Sequence, residues 1–280
     1  MGDRAGRTIR FFKMGGAGND FVVIDNRAGV VPEPATQFAA RVCARQAAVG
    51  ADGLLLLERS SRKDFRMRYF NTDGSEAEMC GNGGRCIARF AALVGAAGPE
   101  MQFENLAGDF RAALTADGRV RLEMTEPHSE RLSVRVQTSR GPLEVHSLDT
   151  GVPHIVVPWD ELDTAPVREL GRELRNHAAF APKGTNVNFA RVAGPSAIAV
   201  RTYERGVEDE TLACGTGSVA SAILMARLGR VVPPVAVTVR SGSILRIHFA
   251  ITGERATGVA LEGEAVVLFE GDLRLEAFGY

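Results

Sequence analysis

The sequence predicts an α/β chain of two pseudo-symmetric halves, each a curled, mostly antiparallel sheet wrapped around one central helix. Three observations lead there. Apolar and polar residues alternate along much of the chain, which is the period of strands. Two of the few helical segments, Arg85–Val94 and Val219–Leu228, are apolar almost all round, as helices enclosed by other structure are. The residues leading into these two helices nearly match: Met79-Cys80-Gly81-Asn82-Gly83-Gly84 and Ala213-Cys214-Gly215-Thr216-Gly217-Ser218.

In the first half, strands are expected over Thr8–Lys13, Phe21–Asp25, Leu54–Glu58, Phe65–Phe70, Asp109–Leu114 and Arg119–Met124, with a helix capped by Thr36 and running to about Gln46. The second half offers strands at Leu132–Gln137, Leu143–Ser147, His154–Val157, Asn188–Val192, Ala197–Tyr203, Val235–Val239, Leu245–Phe249 and Ala265–Glu270, and a helix at Val167–Asn176. Tight turns such as Ala116-Asp117-Gly118 favour antiparallel pairing. In each half an amphipathic strand ends in polar residues about ten positions before the cysteine, at Asn71-Thr72-Asp73-Gly74 and at Glu204-Arg205-Gly206. The boundary is expected near Glu126-Pro127-His128, giving halves 1–126 and 127–270. A last strand, Leu273–Phe278, returns within 271–280 to complete the first half.

Composition narrows the function. At 45% hydrophobic and 24% charged residues, the chain reads as an ordinary globular protein. A net charge of −1 leaves no electrostatic footprint for nucleic acid or an anionic membrane. No run approaches the roughly 20 apolar residues of a membrane span. Arg4, Arg7, Arg10 and Lys13 interrupt any signal peptide, and Gly6 stands where a myristoylation motif at Gly2 needs Ser or Thr. A cytoplasmic protein is expected. Cys43, Cys80, Cys86 and Cys214 form neither a disulfide framework nor a zinc pair, and the five histidines are scattered, so no metal is expected. None of Lys13, Lys63 and Lys183 stands in a pyridoxal-phosphate setting, so no cofactor is expected either.

The chemistry concentrates at Cys80 and Cys214. A thiol at a helix start feels the positive end of the helix dipole, which favours its thiolate. Small neighbours let backbone N–H groups approach an anion. Neither loop has the spacing of a P-loop or of a dinucleotide fold, so a carboxylate is the better anion. Two such sites suggest an acid and a base acting on one carbon from opposite sides. Cys43 and Cys86 lack such loops and read as packing residues. Asn19, Asn71, Asn82, Asn186 and Asn188 lie in local polar settings that suit either turn chemistry or ligand contact. Glu204-Arg205 fits a surface ion pair or a grip on ammonium and carboxylate. His154 fits a satisfied strand-start histidine or a functional one.

The blocks Met14-Gly15-Gly16-Ala17-Gly18-Asn19-Asp20-Phe21, Phe70-Asn71, Cys80-Gly81-Asn82-Gly83-Gly84-Arg85-Cys86, Tyr203-Glu204-Arg205-Gly206 and Ala213-Cys214-Gly215-Thr216-Gly217 together resemble the diaminopimelate epimerase family, from about Ile9 to the C-terminus. The resemblance implies cofactor-independent interconversion of LL- and meso-2,6-diaminopimelate, on the route to lysine and cell-wall precursors, by a homodimer. It implies Cys214 as base and Cys80 as acid from LL to meso, with roles exchanged in reverse. It further implies an α-carboxylate held by N–H groups of Gly81, Asn82, Gly215 and Thr216. Asn19, Asn71, Asn186 and Arg205 then read the distal end of the substrate, and Glu204 meets the reacting amine. His154 and Glu204 tune the thiols.

Three positions depart from the family pattern: Val152 where Asn is frequent, Gly15 where His is common, and Gly53 where some members have Gln. The alternatives are a proline racemase-like enzyme, which shares the two-thiol logic, and a non-catalytic amino-acid-binding protein. A thiol–disulfide oxidoreductase is disfavoured by the absence of C-x-x-C.

Overall fold

The computed structural model describes residues 7–78 and 80–280. The readings placed on Gly2, Arg4, Gly6 and Met79 lie outside the described residues. The chain divides into two compact units, one running to Leu122 and completed by Glu264–Tyr280, the other Glu123–Gly263.

In the first unit, strand Val266–Arg274 pairs antiparallel with Thr8–Gly16, which pairs antiparallel with Asn19–Asp25. Asn19–Asp25 lies parallel to Gly53–Glu58, and helix α1 (Ala35–Val42) joins the two. Gly53–Glu58 is antiparallel to Phe65–Asn71, which also carries the two-residue strand Glu76–Ala77 and lies parallel to Glu100–Asn105. Gly108–Leu114 and Val120–Glu123 complete the sheet as antiparallel neighbours. Helix α2 (Gly81–Leu93) packs against strands on both sides of this array.

The second unit repeats this order strand for strand. His128–Thr138, Gly141–Asp149 and Pro153–Pro158 pair antiparallel in turn. Pro153–Pro158 lies parallel to Asn186–Gly194, with helix α3 (Val167–Arg175) between them in sequence. Ala197–Glu204 then pairs with the short strand Asp209–Thr211 and lies parallel to Val235–Thr238. Ile244–Thr252 and Arg255–Gly263 follow as antiparallel neighbours. Helix α4 (Gly215–Arg227) is enclosed by seven of these strands. Its small and mostly apolar sequence is explained by that enclosure, since every residue from Gly217 to Met225 is buried.

The outer helices are amphipathic by contrast. Phe38, Ala39 and Val42 of α1 pack on Val22, Ile24, Leu54 and Leu56. Leu170 and Leu174 of α3 pack on Val187, Phe189 and Tyr203. Alternate residues of the parallel strands therefore serve the outer helix, and the strands read as continuous apolar runs because both faces are covered.

Several expected elements differ. Helix α1 enters from Pro34, with Glu33 accepting from the Ala35 N–H, so Thr36 is no cap. It stops at Val42, well before Gln46, because the Val42 and Cys43 carbonyls accept from Gly50 and Ala51 instead of a further turn. The expected strand Leu273–Phe278 is the end of Val266–Arg274 followed by a 3-10 turn, Leu275–Phe278. Strand Arg255–Gly263 was not foreseen. Gly258, at φ +62°, and a register shift near His248 break its alternation. Glu100–Asn105 and the short strands Glu76–Ala77 and Asp209–Thr211 were also not foreseen.

Candidate active site

Each cysteine occupies the same point of the shared topology, after the short strand and at the entrance of the central helix. Cys80 has extended backbone (φ −131°, ψ 120°) and is the N-cap of α2; Cys214 (φ −125°, ψ 112°) is the N-cap of α4. The glycine-rich segments thought to precede the helices are their first turns. The Gly84 N–H donates to the Cys80 carbonyl at 2.7 Å, and the Ser218 N–H to the Cys214 carbonyl at 2.9 Å. The N–H groups of residues 81–83 and 215–217 therefore have no acceptor inside their helices and sit at the positive ends of the helix dipoles. Each helix entrance suits an anion beside a thiol. Cys80 is half-buried and Cys214 is 7% exposed.

In the first unit, polar side chains run away from the helix entrance. Asn82, nearly buried, donates to Asn19 Oδ1 at 2.7 Å, and Asn19 donates in turn to Asp52 Oδ2 at 2.9 Å. Asn82 Oδ1 accepts from Arg85 Nη2 at 2.8 Å, while Arg85 Nη1 reaches the Gly81 carbonyl at 3.3 Å. Arg85 is fully buried, which pulls its pKa down, and its Nε has no hydrogen-bond partner among the described residues. Beyond Asn19, Asp52 and Asp20 share Arg45, and Lys13 holds Asp20 at 2.8 Å. Burial pushes the Asp20 carboxyl up, but hydrogen bonds from Arg45 and Lys13 prevail and hold it at about 2. Asn71 stands apart from this chain and donates to Ser75 Oγ at 3.0 Å.

In the second unit, Cys214 Sγ lies 3.5 Å from Thr216 Oγ1, which lies 3.0 Å from His154 Nε2. His154 is buried. Desolvation, then the charge of Arg205, pulls its imidazole down to about 3, so it is neutral at any ordinary pH. Its Nδ1 lies 3.2 Å from Asn188 Nδ2, an atom that also donates to the Ile155 carbonyl at 2.9 Å. Asn186 donates to the Pro153 carbonyl at 3.0 Å and accepts from the Arg205 N–H at 2.8 Å. The Arg205 guanidinium donates to the Lys183 carbonyl at 3.1 Å. Glu204, half-buried at its strand end, has its carboxyl pushed up by burial. A cavity of about 470 Å³ opens beside His154, lined also by Arg131, Asp149 and Lys183.

Within the units, then, Asn82 and Asn19 are hydrogen-bonded to each other at the helix entrance that Cys80 caps, and Thr216 and His154 form a chain to Cys214. Arg85, Asp52 and the working position of Asn188 were not singled out from sequence. Burial pushes the thiols of Cys43 and Cys86 up to about 12. They are packing residues. At Gly53 the Tyr69 ring fills the space a side chain would need, so this departure from the family pattern is matched by local packing. A Cβ at Gly15 would meet only ordinary contacts, with Leu268 and the Asn19 carbonyl. Among the described residues, no group of three or more His, Cys, Asp or Glu side chains is placed to hold a metal ion, and no helix is long and apolar enough to cross a membrane.

A family model described as diaminopimelate epimerase matches residues 11–130 and 146–268. A diaminopimelate epimerase of Aquifex aeolicus is 43% identical, covering 97% of this chain and all of the relative. One from Hydrogenobaculum is 42% identical over 95% of this chain and 99% of the relative. Solved structures share the fold at much lower identity. A PhzF-family phenazine biosynthesis protein of Bacillus anthracis has a TM-score of 0.73 at 16% identity, covering 95% of this chain and 99% of its own. A hydroxyproline epimerase of Agrobacterium vitis has a TM-score of 0.66 at 18%, covering 99% and 94%.

Proposed function

The chain belongs to the diaminopimelate epimerase family, and from that premise we propose that it interconverts LL- and meso-2,6-diaminopimelate by two-thiol acid–base chemistry. The observation that carries the chemistry is the repeated one: a cysteine as N-cap of a buried helix, once in each unit. In the LL-to-meso direction the Cys214 thiolate takes the α-proton. The C–H bond breaks, an S–H bond forms, and the electron pair delocalises onto the α-carboxylate. Cys80 then gives its proton to the same carbon from the other side and becomes the thiolate, so the roles reverse for the return reaction.

Negative charge gathers on the carboxylate as the proton leaves. The N–H groups of Gly81, Asn82, Gly215 and Thr216 donate to it, and preorganised donors of this kind act most strongly where charge develops. Asn19, Asn71, Asn186 and Arg205 hold the distal end, and Glu204 holds the reacting amine. The α-carbanion is stabilised by these groups without pyridoxal phosphate or metal. Working thiols need a reducing compartment, which supports a cytoplasmic site of action.

The assembly we propose is a homodimer. Val266, Val267, Leu268 and Phe269 are successive apolar residues, each at least 40% exposed, on a strand of the first unit. A second copy offers the same patch in return, the self-complementary match of a two-fold dimer. Sedimentation of the wild type and of Phe269→Glu tests it: a dimer and a monomer respectively are expected.

The reaction is tested by following α-deuterium incorporation into LL-diaminopimelate in heavy water by NMR, using dialysed protein. Exchange accompanied by meso product is expected. Binding without exchange identifies an amino-acid-binding protein, and exchange confined to proline or hydroxyproline identifies the racemase-like alternative.

A further inference from the structure

The second unit carries a one-way chain of hydrogen bonds that ends on the Cys214 sulfur. A peptide carbonyl can only accept, so the Asn188 atom facing the Ile155 carbonyl at 2.9 Å is its NH2. Its oxygen then accepts from Thr202 Oγ1 at 2.9 Å. The second hydrogen of that NH2 faces His154 Nδ1 at 3.2 Å. Nδ1 is therefore the acceptor, and the ring proton sits on Nε2. Nε2–H donates to Thr216 Oγ1 at 3.0 Å, which turns the threonine's own proton toward Cys214 Sγ at 3.5 Å.

The packing around Asn188 has no slack. The residue is fully buried, and a Cβ at Gly217 would collide with its Oδ1 and come within 3.3 Å of Cys214 Sγ. In the other repeat, Asn82 stands where Thr216 does and commits its amide to Asn19 and Arg85.

We infer that Asn188 is a positioning residue that fixes the Nε2–H tautomer of His154, so that the Thr216 hydroxyl donates to Cys214 and holds its sulfur as the resting thiolate. His154 takes no proton in this arrangement; it sets the direction of a hydrogen bond. The inference rests on Cys214 being an acid–base group, and it adds a direction: the resting enzyme is poised to take a proton at Cys214.

Two measurements that do not depend on turnover test it. With 15N-labelled histidine, the His154 ring of the full-length wild type should show a protonated Nε2 and an unprotonated Nδ1 from pH 5 to 8, assigned by comparison with His154→Gln. A proton on Nδ1, or an imidazolium at pH 7, overturns the inference. In a Cys80→Ala background, Cys43 and Cys86 stay silent because burial suppresses their thiolates, so iodoacetamide reports on Cys214. Thr216→Val and Asn188→Leu should slow alkylation at pH 7 about ten-fold, the scale of one lost hydrogen bond to a charged acceptor. Thr216→Ser, which keeps the hydroxyl, should react near the parental rate. Parental reactivity in Thr216→Val overturns the inference even if Asn188→Leu fails to fold. Absent deuterium exchange, with tautomer and alkylation as expected, counts against the proposed reaction and not against this chain of bonds.

Discussion

Asn188 Nδ2 lies 3.2 Å from His154 Nδ1 and 2.9 Å from the Ile155 carbonyl, so a single side-chain amide orients both an imidazole and, through it, a threonine hydroxyl. The pairing exists because Pro153–Pro158 and Asn186–Gly194 run parallel, with His154 opposite Asn186 and Val156 opposite Asn188. The fold thereby turns a structural necessity, the satisfaction of a buried amide, into control of a thiol at the entrance of α4.

The two N-cap cysteines should be separately indispensable. In the proposed mechanism each supplies one face of the chemistry, and a general acid or base contributes about 10²–10⁴-fold. Cys80→Ala and Cys214→Ala should each lose at least that much in both directions, measured by stereospecific product analysis. Cys86→Ala and Cys43→Ala should retain turnover within a few-fold and lose only packing, on the order of 1 kcal/mol. Near-normal turnover in Cys80→Ala would remove the acid–base pair from consideration.

The glycines of the two helix entrances should respond differently. A Cβ at Gly81 meets nothing within 4 Å, whereas one at Gly217 meets Asn188 Oδ1. Gly81→Ala should stay within about 1 kcal/mol of the parent, since alanine suits a helical turn better than glycine. Gly217→Ala should cost about 1–3 kcal/mol by overpacking and should slow Cys214 alkylation as Asn188 is displaced. Equal urea midpoints for the two variants would contradict the close approach at Gly217.

The duplicated architecture was legible because its signals are local. Alternation gives strands, and a helix apolar on every side must be enclosed, as α4 is. The start of α2 at Gly81 was less legible because glycine has poor helix propensity; yet a first turn has no intrahelical N–H bonds to lose, so the Cys80 cap tolerates it. Asn188 was one of five asparagines in similar polar settings, and only the parallel register that brings it beside His154 separates it from the others. Arg85 stands inside the Cys80–Cys86 block that marks the first helix entrance, but its full burial beside Asn82 is a tertiary property. Partners set by strand register cannot be read from neighbours along the chain.

The amide chain of the first unit should govern binding more than chemistry. Asn19 donates to Asp52 while its oxygen accepts from Asn82, so Asp52 fixes which way the Asn19 amide points. Asp52→Ala frees that amide to rotate. Because the Asp52–Arg45 pair is well exposed, stability should fall by about 1 kcal/mol or less. Steady-state kinetics should show KM raised several-fold with kcat nearly unchanged, the signature of lost uniform binding. A fall in kcat at constant KM would take Asn19 out of substrate binding.

Acid stability should carry the mark of His154. Desolvation, then the charge of Arg205, lowers its pKa from 6.5 to about 3, so the native state holds the ring neutral while the unfolded chain takes up a proton. The stability this contributes is complete above pH 6.5 and is lost as pH falls from there toward 3. At about 1.4 kcal/mol per unit, the loss over the two pH units down to pH 4.5 is about 3 kcal/mol. His146, also lowered chiefly by burial, adds in the same direction. Glu204, raised by burial, acts oppositely: its contribution is present at low pH and fades as pH rises through its folded value. Comparison with His154→Gln cancels both. Urea unfolding at intervals from pH 7.5 to 4.5 should show the wild type's advantage over His154→Gln shrinking as the solution is acidified. An advantage that stays constant across that range would mean the ring is not held neutral, and the tautomer argument would fail with it.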